Sequence, residues 1–216
     1  MTIGLPTMAR VPLQQQGVTL GDFLVPIRIS EHLTYRVRNL GLVLLGVLFI
    51  ALTARISFYL PGDPVPVTGQ TFGVLFAACA LGTRRALVMT LLYLAFGLIG
   101  LPVFADGSSG QGVLFGATGG YIVGFVVAGA LVGRLAELGW DRRFIGGLAA
   151  MALGSVAIYA VGVPWLAAFA PNGYDLGWAV KWGLVPFVLG DAFKLVLAGV
   201  AFPPAWWLVG RRPGDR

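Results

Sequence analysis

In the segment LGDAFKL an aspartate and a lysine, Asp191 and Lys194, stand three residues apart inside an otherwise apolar run over residues 184–209. On a helix this spacing puts them on one face, about one turn apart. A charge at mid-bilayer costs at least roughly 2.5 to 3.5 kcal/mol on insertion scales, and intramembrane charges pair with one another, face a bundle interior or line a substrate path. Two readings follow. The residues can be a mutual ion pair near a helix end with Lys194 reaching for the interface, or a site that offers a polar ligand an acceptor and a donor. Further polar groups could join them: Thr68, Gln70 and Thr71 directly after a proline-rich connection, and Asp106, Ser108, Ser109 and Gln111 in a stretch rich in glycine and serine. Donors and acceptors converging at one end of several helices make a small-molecule pocket. The plainer alternative is that Gln70 and Thr71 start a helix and the Gly/Ser stretch is a loop.

The elements that must position these groups are set by composition. The 216 residues are 57% hydrophobic and 11% charged, with a mean hydropathy of +0.85, whereas soluble domains carry about 25% charged residues. An all-α integral membrane protein is expected. One cysteine, Cys79, cannot close an intramolecular disulfide, and with one histidine, His32, a Cys/His zinc site lacks ligands. No metal and no cofactor are expected.

Six apolar runs of the required kind occur, at residues 39–60, 69–82, 86–103, 118–138, 144–163 and 184–209. A helix of about 20 residues spans roughly 30 Å of hydrocarbon; the second run reaches that length only with the VPV before it. Between the first two, PGDPVPVT reads as an extended connection. Thr83, Arg84 and Arg85 read as a tight polar turn, and residues 104–117 as a loop folded back toward the membrane. Residues 164–183, with Trp165, Trp178 and Trp182, are expected along one membrane surface, where tryptophan concentrates. Gly116, Gly120, Gly124, Gly129 and Gly133 follow small-xxx-small spacing, which lets helices approach closely.

Basic residues give the sidedness. With the N-terminus inside, Arg10, Arg28, Arg36, Arg38, Arg84, Arg85, Arg134, Arg142, Arg143, Arg211, Arg212 and Arg216 all fall inside, leaving Lys181 outside and Arg55 and Lys194 in or at the end of spans. The positive-inside rule then predicts six helices with both termini cytoplasmic. The division is 1–38 as an N-terminal extension without signal-peptide features, 39–210 as the membrane domain and 211–216 as the tail. Arg55 falls in the outer third of the first helix as an interfacial or structural arginine. The net charge of +6 follows membrane sidedness, so nucleic acid is not an expected partner. A Ser/His hydrolase built on Ser108, Ser109, Asp106 and His32 lacks its base, because His32 lies on the other side. No nucleotide-binding G-x-x-x-x-G-K-[ST] loop occurs, so ATP hydrolysis would belong to another polypeptide.

Three segments resemble a known family: ARISFYLPGDPVPVTGQTFGVLFA at 54–77, GLPVFADGSSGQGVLFGATGGYIVGF at 100–125 and GDAFK at 190–194. They are similar to the BioY family, the biotin-transporting S components of energy-coupling-factor transporters, and the likeness covers roughly residues 47–208. The resemblance implies a six-helix fold in a bacterial or archaeal cytoplasmic membrane that captures biotin near the outer face, with Asp191 and Lys194 contacting it directly. It also implies a transmembrane coupling subunit and two ATPase subunits as partners, or transport by the chain alone. Biotin has a ureido ring with two N–H donors and a carbonyl, a thioether ring and a carboxylate. Asp191 can accept the N–H groups, and Lys194 can serve the carbonyl or the carboxylate. One helical turn rises about 5.4 Å, so the pair serves one end of the ligand and Gln70, Thr71, Ser108 and Tyr121 are candidates for the other. An S component for thiamine or riboflavin is the nearest alternative, and a membrane-embedded enzyme a distant one.

Overall fold

The computed structural model describes residues 19–24 and 35–210. Most of the expected N-terminal extension, His32 within it, and the 211–216 tail lie outside the described residues. One helical turn, α1 (Gly21–Leu24), precedes α2 (Tyr35–Thr53). A short hairpin follows, β1 (Ser57–Phe58) antiparallel to β2 (Val67–Thr68), with Ser57 opposite Thr68 and Phe58 opposite Val67. Next come α3 (Gln70–Leu81) and α4 (Thr83–Leu98). A 3-10 turn at Ala105–Gly107 and the one-turn α5 (Gln111–Leu114) lead into α6 (Gly119–Glu137) and α7 (Phe144–Ala167). The chain ends in α8 (Leu176–Gly183) and α9 (Val188–Gly210).

Among the described residues, four helical stretches are long and apolar enough to cross a membrane: Arg36–Thr53, Gly119–Glu137, Phe144–Ala167 and Leu176–Leu208, the last joining α8 to α9. The α2 helix shows why lipid is the solvent. Leu42, Val43, Val47 and Ile50 are buried, while Leu40, Leu44, Leu45, Leu48 and Leu52 on the remaining surface are exposed. A helix apolar all round, with half its surface uncovered by protein, suits hydrocarbon and not water. The α3 and α4 helices are shorter, 12 and 16 residues, or about 18 and 24 Å at 1.5 Å per residue.

The centre of the bundle is α6, with 67% of its span buried against 22–33% for the other three. It packs on α3, α4 and, along most of its length, α7. Its glycines make this possible. A Cβ on Gly124 would lie 3.0 Å from the Ile158 carbonyl oxygen of α7, and one on Gly133 2.6 Å from the Thr83 nitrogen at the start of α4. Small residues let backbones meet where lipid offers no hydrophobic drive to association, as the glycine spacing predicted.

The boundaries differ from the sequence reading at three places, each for a local reason. First, α2 stops at Thr53, whose hydroxyl bonds back to the Phe49 and Ile50 carbonyls. Arg55 therefore lies past the helix end and donates from Nη2 to the Pro102 carbonyl at 2.7 Å, tying this end to the loop after α4. Second, residues 83–85 are not a turn. Gly82 alone makes it, at φ +80°, and Thr83 opens α4 with its N–H on Glu137 Oε1 at 2.8 Å. Third, α7 runs through Pro164 to Ala167, and the Trp165 indole donates to the Gly116 carbonyl at 2.9 Å. Trp165 is thus a strut for the Gly/Ser loop.

Candidate functional site

A cavity of about 280 Å³ opens at the hairpin end of the bundle. Its walls are the hairpin, the first turn of α3, residues 104–118, the start of α6, Tyr159 of α7, Phe187 just before α9, and Lys194 within α9. The extended connection forms one wall because its prolines leave few backbone donors and Val65 and Val67 turn inward and are buried. The Gly/Ser loop forms another wall around Phe104, which is fully buried. Phe104 sits where Gly97 leaves room, since a Cβ there would be 2.0 Å from the ring. The folded-back loop expected at 104–117 is therefore a packed wall of the cavity.

Five of the six candidate site residues line this cavity: Gln70, Thr71, Ser108, Tyr121 and Lys194. The sixth, Asp191, is 6% exposed and stands one contact behind them. Lys194 Nζ donates to Asp191 Oδ1 at 3.0 Å and to Thr71 Oγ1 at 2.8 Å, joining α9 to α3. The other carboxylate oxygen of Asp191 accepts from the Tyr159 hydroxyl of α7. Lys194 uses two of its three ammonium hydrogens in this way and keeps one for a ligand.

The remaining hydroxyls are partly committed. Tyr121 donates to the Gly183 carbonyl at 2.8 Å and Ser108 to the Ala105 carbonyl at 2.7 Å, so both oxygens keep lone pairs as acceptors. Thr71 accepts from Lys194 and keeps its own hydrogen. The Tyr121 and Tyr159 rings meet edge to face, with centroids 6.3 Å apart. The cavity lining therefore combines an ammonium donor, hydroxyl groups and aromatic rings, the composition of a site for a small amphipathic molecule. Asp106, Ser109 and Gln111 are not among its lining residues. No group of three or more His, Cys, Asp or Glu residues able to hold a metal occurs among the described residues.

Tyr159 was not singled out from sequence, although a signal was present. A tyrosine inside a 24-residue apolar helix needs a partner for its hydroxyl, and an intramembrane carboxylate needs donors. A second buried polar cluster lies at the opposite end of the bundle. There Asp141, fully buried between α6 and α7, accepts from the Trp206 indole of α9 at 2.7 Å, while the Arg142 guanidinium lies 4.9 Å above the same ring. Burial pushes the Asp141 carboxyl from 3.8 up to about 6, opposed by the Trp206 hydrogen bond and by Arg142.

A family model described as the BioY family matches residues 27–211. The "Biotin transporter BioY" of Thermotoga maritima is 40% identical over 143 residues, covering 65% of this chain and 80% of the relative. The "Biotin transporter BioY2" of Lactococcus lactis subsp. cremoris is 35% identical over 163 residues, 75% of this chain and 86% of the relative. Among solved structures, the crystal structure of the S-component for biotin from an ECF-type ABC transporter superposes with a TM-score of 0.71. It is 28% identical over 80% of this chain and 92% of its own.

Proposed function

The chain belongs to the BioY family, and from that membership we propose that it captures biotin for uptake across the cytoplasmic membrane as the S component of an energy-coupling-factor transporter. The observation that carries this reading is the cavity itself, with Lys194 held over it by Asp191 and Thr71. Its volume of about 280 Å³ falls near the low end of small-molecule pockets, roughly 300 to 1,000 Å³, as suits a single vitamin. Lys194 donates its remaining hydrogen to the ureido carbonyl or to the carboxylate of biotin. Asp191 has lone pairs beyond those taken by Lys194 and Tyr159 and accepts the ureido N–H groups once the ligand displaces the intervening contacts. Gln70, Thr71, Ser108 and Tyr121 serve the other end, and Phe104 and Tyr159 cover the rings.

The topology that fits this role has six crossings with both termini cytoplasmic, the cavity facing outward, residues 1–38 as a cytoplasmic extension and 211–216 as the tail. Two features support it: twelve basic residues fall on one side under this threading, and the short helices α3 and α4 pack on the spanning α6. Energy enters through other polypeptides, a transmembrane coupling subunit and two ATPase subunits, or the chain transports alone. The deciding experiment is equilibrium binding of biotin to the purified, detergent-solubilised chain with thiamine and riboflavin as competitors. Saturable binding displaced by biotin analogues and not by the other two vitamins is expected. Absence of binding in a folded sample overturns the assignment.

A further inference from the structure

Beneath the cavity, and outside its lining, lies Tyr93 of α4, fully buried. Its hydroxyl bridges two segments that are far apart in sequence. It donates to the Val103 carbonyl at 2.8 Å, in the connection that leads to Phe104 and Ser108, and it meets the side-chain amide of Gln70 at the start of α3. The Tyr93 ring is held edge to face by Phe104, centroids 5.5 Å apart.

The chemistry of these groups fixes which way the Gln70 amide points. A backbone carbonyl can only accept, so the phenol hydrogen is spent on Val103. The phenol oxygen is left as an acceptor, and the amide end facing it must be the nitrogen. The amide oxygen then faces Thr68, whose hydroxyl donates to it at 3.2 Å while accepting the Gln70 backbone N–H at 3.2 Å. Every hydrogen in this chain has one place to go. Gln70 is left with one amide N–H and one oxygen lone pair in a fixed order at the cavity wall.

We infer that Tyr93 is a positioning residue: by accepting from Gln70 while donating to Val103 it sets the donor and acceptor order that Gln70 presents to biotin. The inference rests on biotin capture as the function. Without the phenol oxygen the amide can turn over, and a donor then meets a ligand donor.

The test is a double-mutant cycle on the biotin Kd of the purified chain, with Tyr93→Phe, Gln70→Leu and the double variant, and the apo melting temperature measured beside each. Tyr93→Phe keeps the ring against Phe104 and is expected to weaken biotin binding about tenfold, the loss of one well-placed buried hydrogen bond. Because Tyr93 acts through Gln70, adding Tyr93→Phe to Gln70→Leu is expected to change Kd less than about twofold. A merely structural tyrosine would lower both backgrounds by the same factor, and that result overturns the inference. Should Tyr93→Phe not accumulate in folded form, Thr68→Val strips the donor from the other end of the amide. It is expected to show the same non-additivity with Gln70→Leu, and independent losses would again overturn the inference. A wild-type chain that binds no biotin condemns the functional assignment instead, so the two failures are distinguishable.

Discussion

Breaking the Asp191–Lys194 pair from one side should destabilise the fold, removing it altogether should not, and both should weaken binding. The pair is 3.0 Å apart with side-chain exposures of 9% and 17%. In Lys194→Met the carboxylate stays buried with Tyr159 as its remaining donor among these contacts. Losing one partner of a buried ion pair costs about 3 to 5 kcal/mol, whereas replacing both by neutral groups of similar volume is often neutral or stabilising. Thermal unfolding in detergent should therefore show Lys194→Met well below wild type and Asp191→Asn/Lys194→Met close to it. Binding follows a different rule. Two charge-assisted hydrogen bonds to the ligand are worth about 1.5 to 3 kcal/mol each, so the double variant should lose about a hundredfold to ten-thousandfold in Kd. A folded, thermally normal double variant that no longer binds would separate the site from the scaffold. Wild-type biotin uptake by an Asp191→Asn/Lys194→Ala variant expressed at normal level would refute the reasoning.

Three further outcomes can be checked. The folded Asp141 carboxyl titrates near 6 against an ordinary 3.8 because it is buried. The native state therefore holds that proton more tightly than the unfolded chain, and stability falls as pH rises from about 4 to about 6, then levels. The loss is at most about 3 kcal/mol; Asp141→Asn, which keeps an oxygen for Trp206, should match wild type near pH 4 and melt higher at pH 7. Gly97→Ala puts a Cβ 2.0 Å from the Phe104 ring; overpacking of this kind costs about 1 to 3 kcal/mol, and the displaced ring should weaken biotin binding, so an unchanged Kd would remove Phe104 from the working cavity wall. Gly124→Leu forces α6 away from the Ile158 backbone of α7 and should lower the melting temperature by more than the same change at the exposed Gly112, which has open space around it.

Much of the architecture was legible because a bilayer writes it in plain terms. The breaks at Gly82 and after Glu137 fall within a few residues of their expected places, and the helix beginning at Phe144 starts where predicted. The site was legible to the extent that polarity in an apolar chain is costly. Gln70, Thr71, Ser108 and Lys194 stood out as polar groups at a helix start, in a loop or within a span, Tyr121 was added through the family resemblance, and all five line one cavity. Arg55 was read as an interfacial or structural arginine and Trp165 as part of a segment along the membrane surface, because an amphipathic side chain near a helix end can reach the interface. Their particular partners, the Pro102 and Gly116 carbonyls, were not legible, because they belong to loops 47 and 49 residues away.

Sequence alone determined that this chain is a membrane bundle, roughly where its apolar helices lie, and that an acid and a base share one helical face. Hydropathy, proline and glycine act locally, and the i, i+3 spacing is a property of one helix. Only the tertiary structure decided that Tyr159 completes the Asp191–Lys194 pair, that Tyr93 orders the Gln70 amide, and that Asp141 closes on Trp206 at the opposite end. Those partners lie 32, 23 and 65 residues apart. Which face of one helix meets which face of another is set by how closely glycine-bearing backbones can pack, and no periodicity within a single segment encodes that rotation.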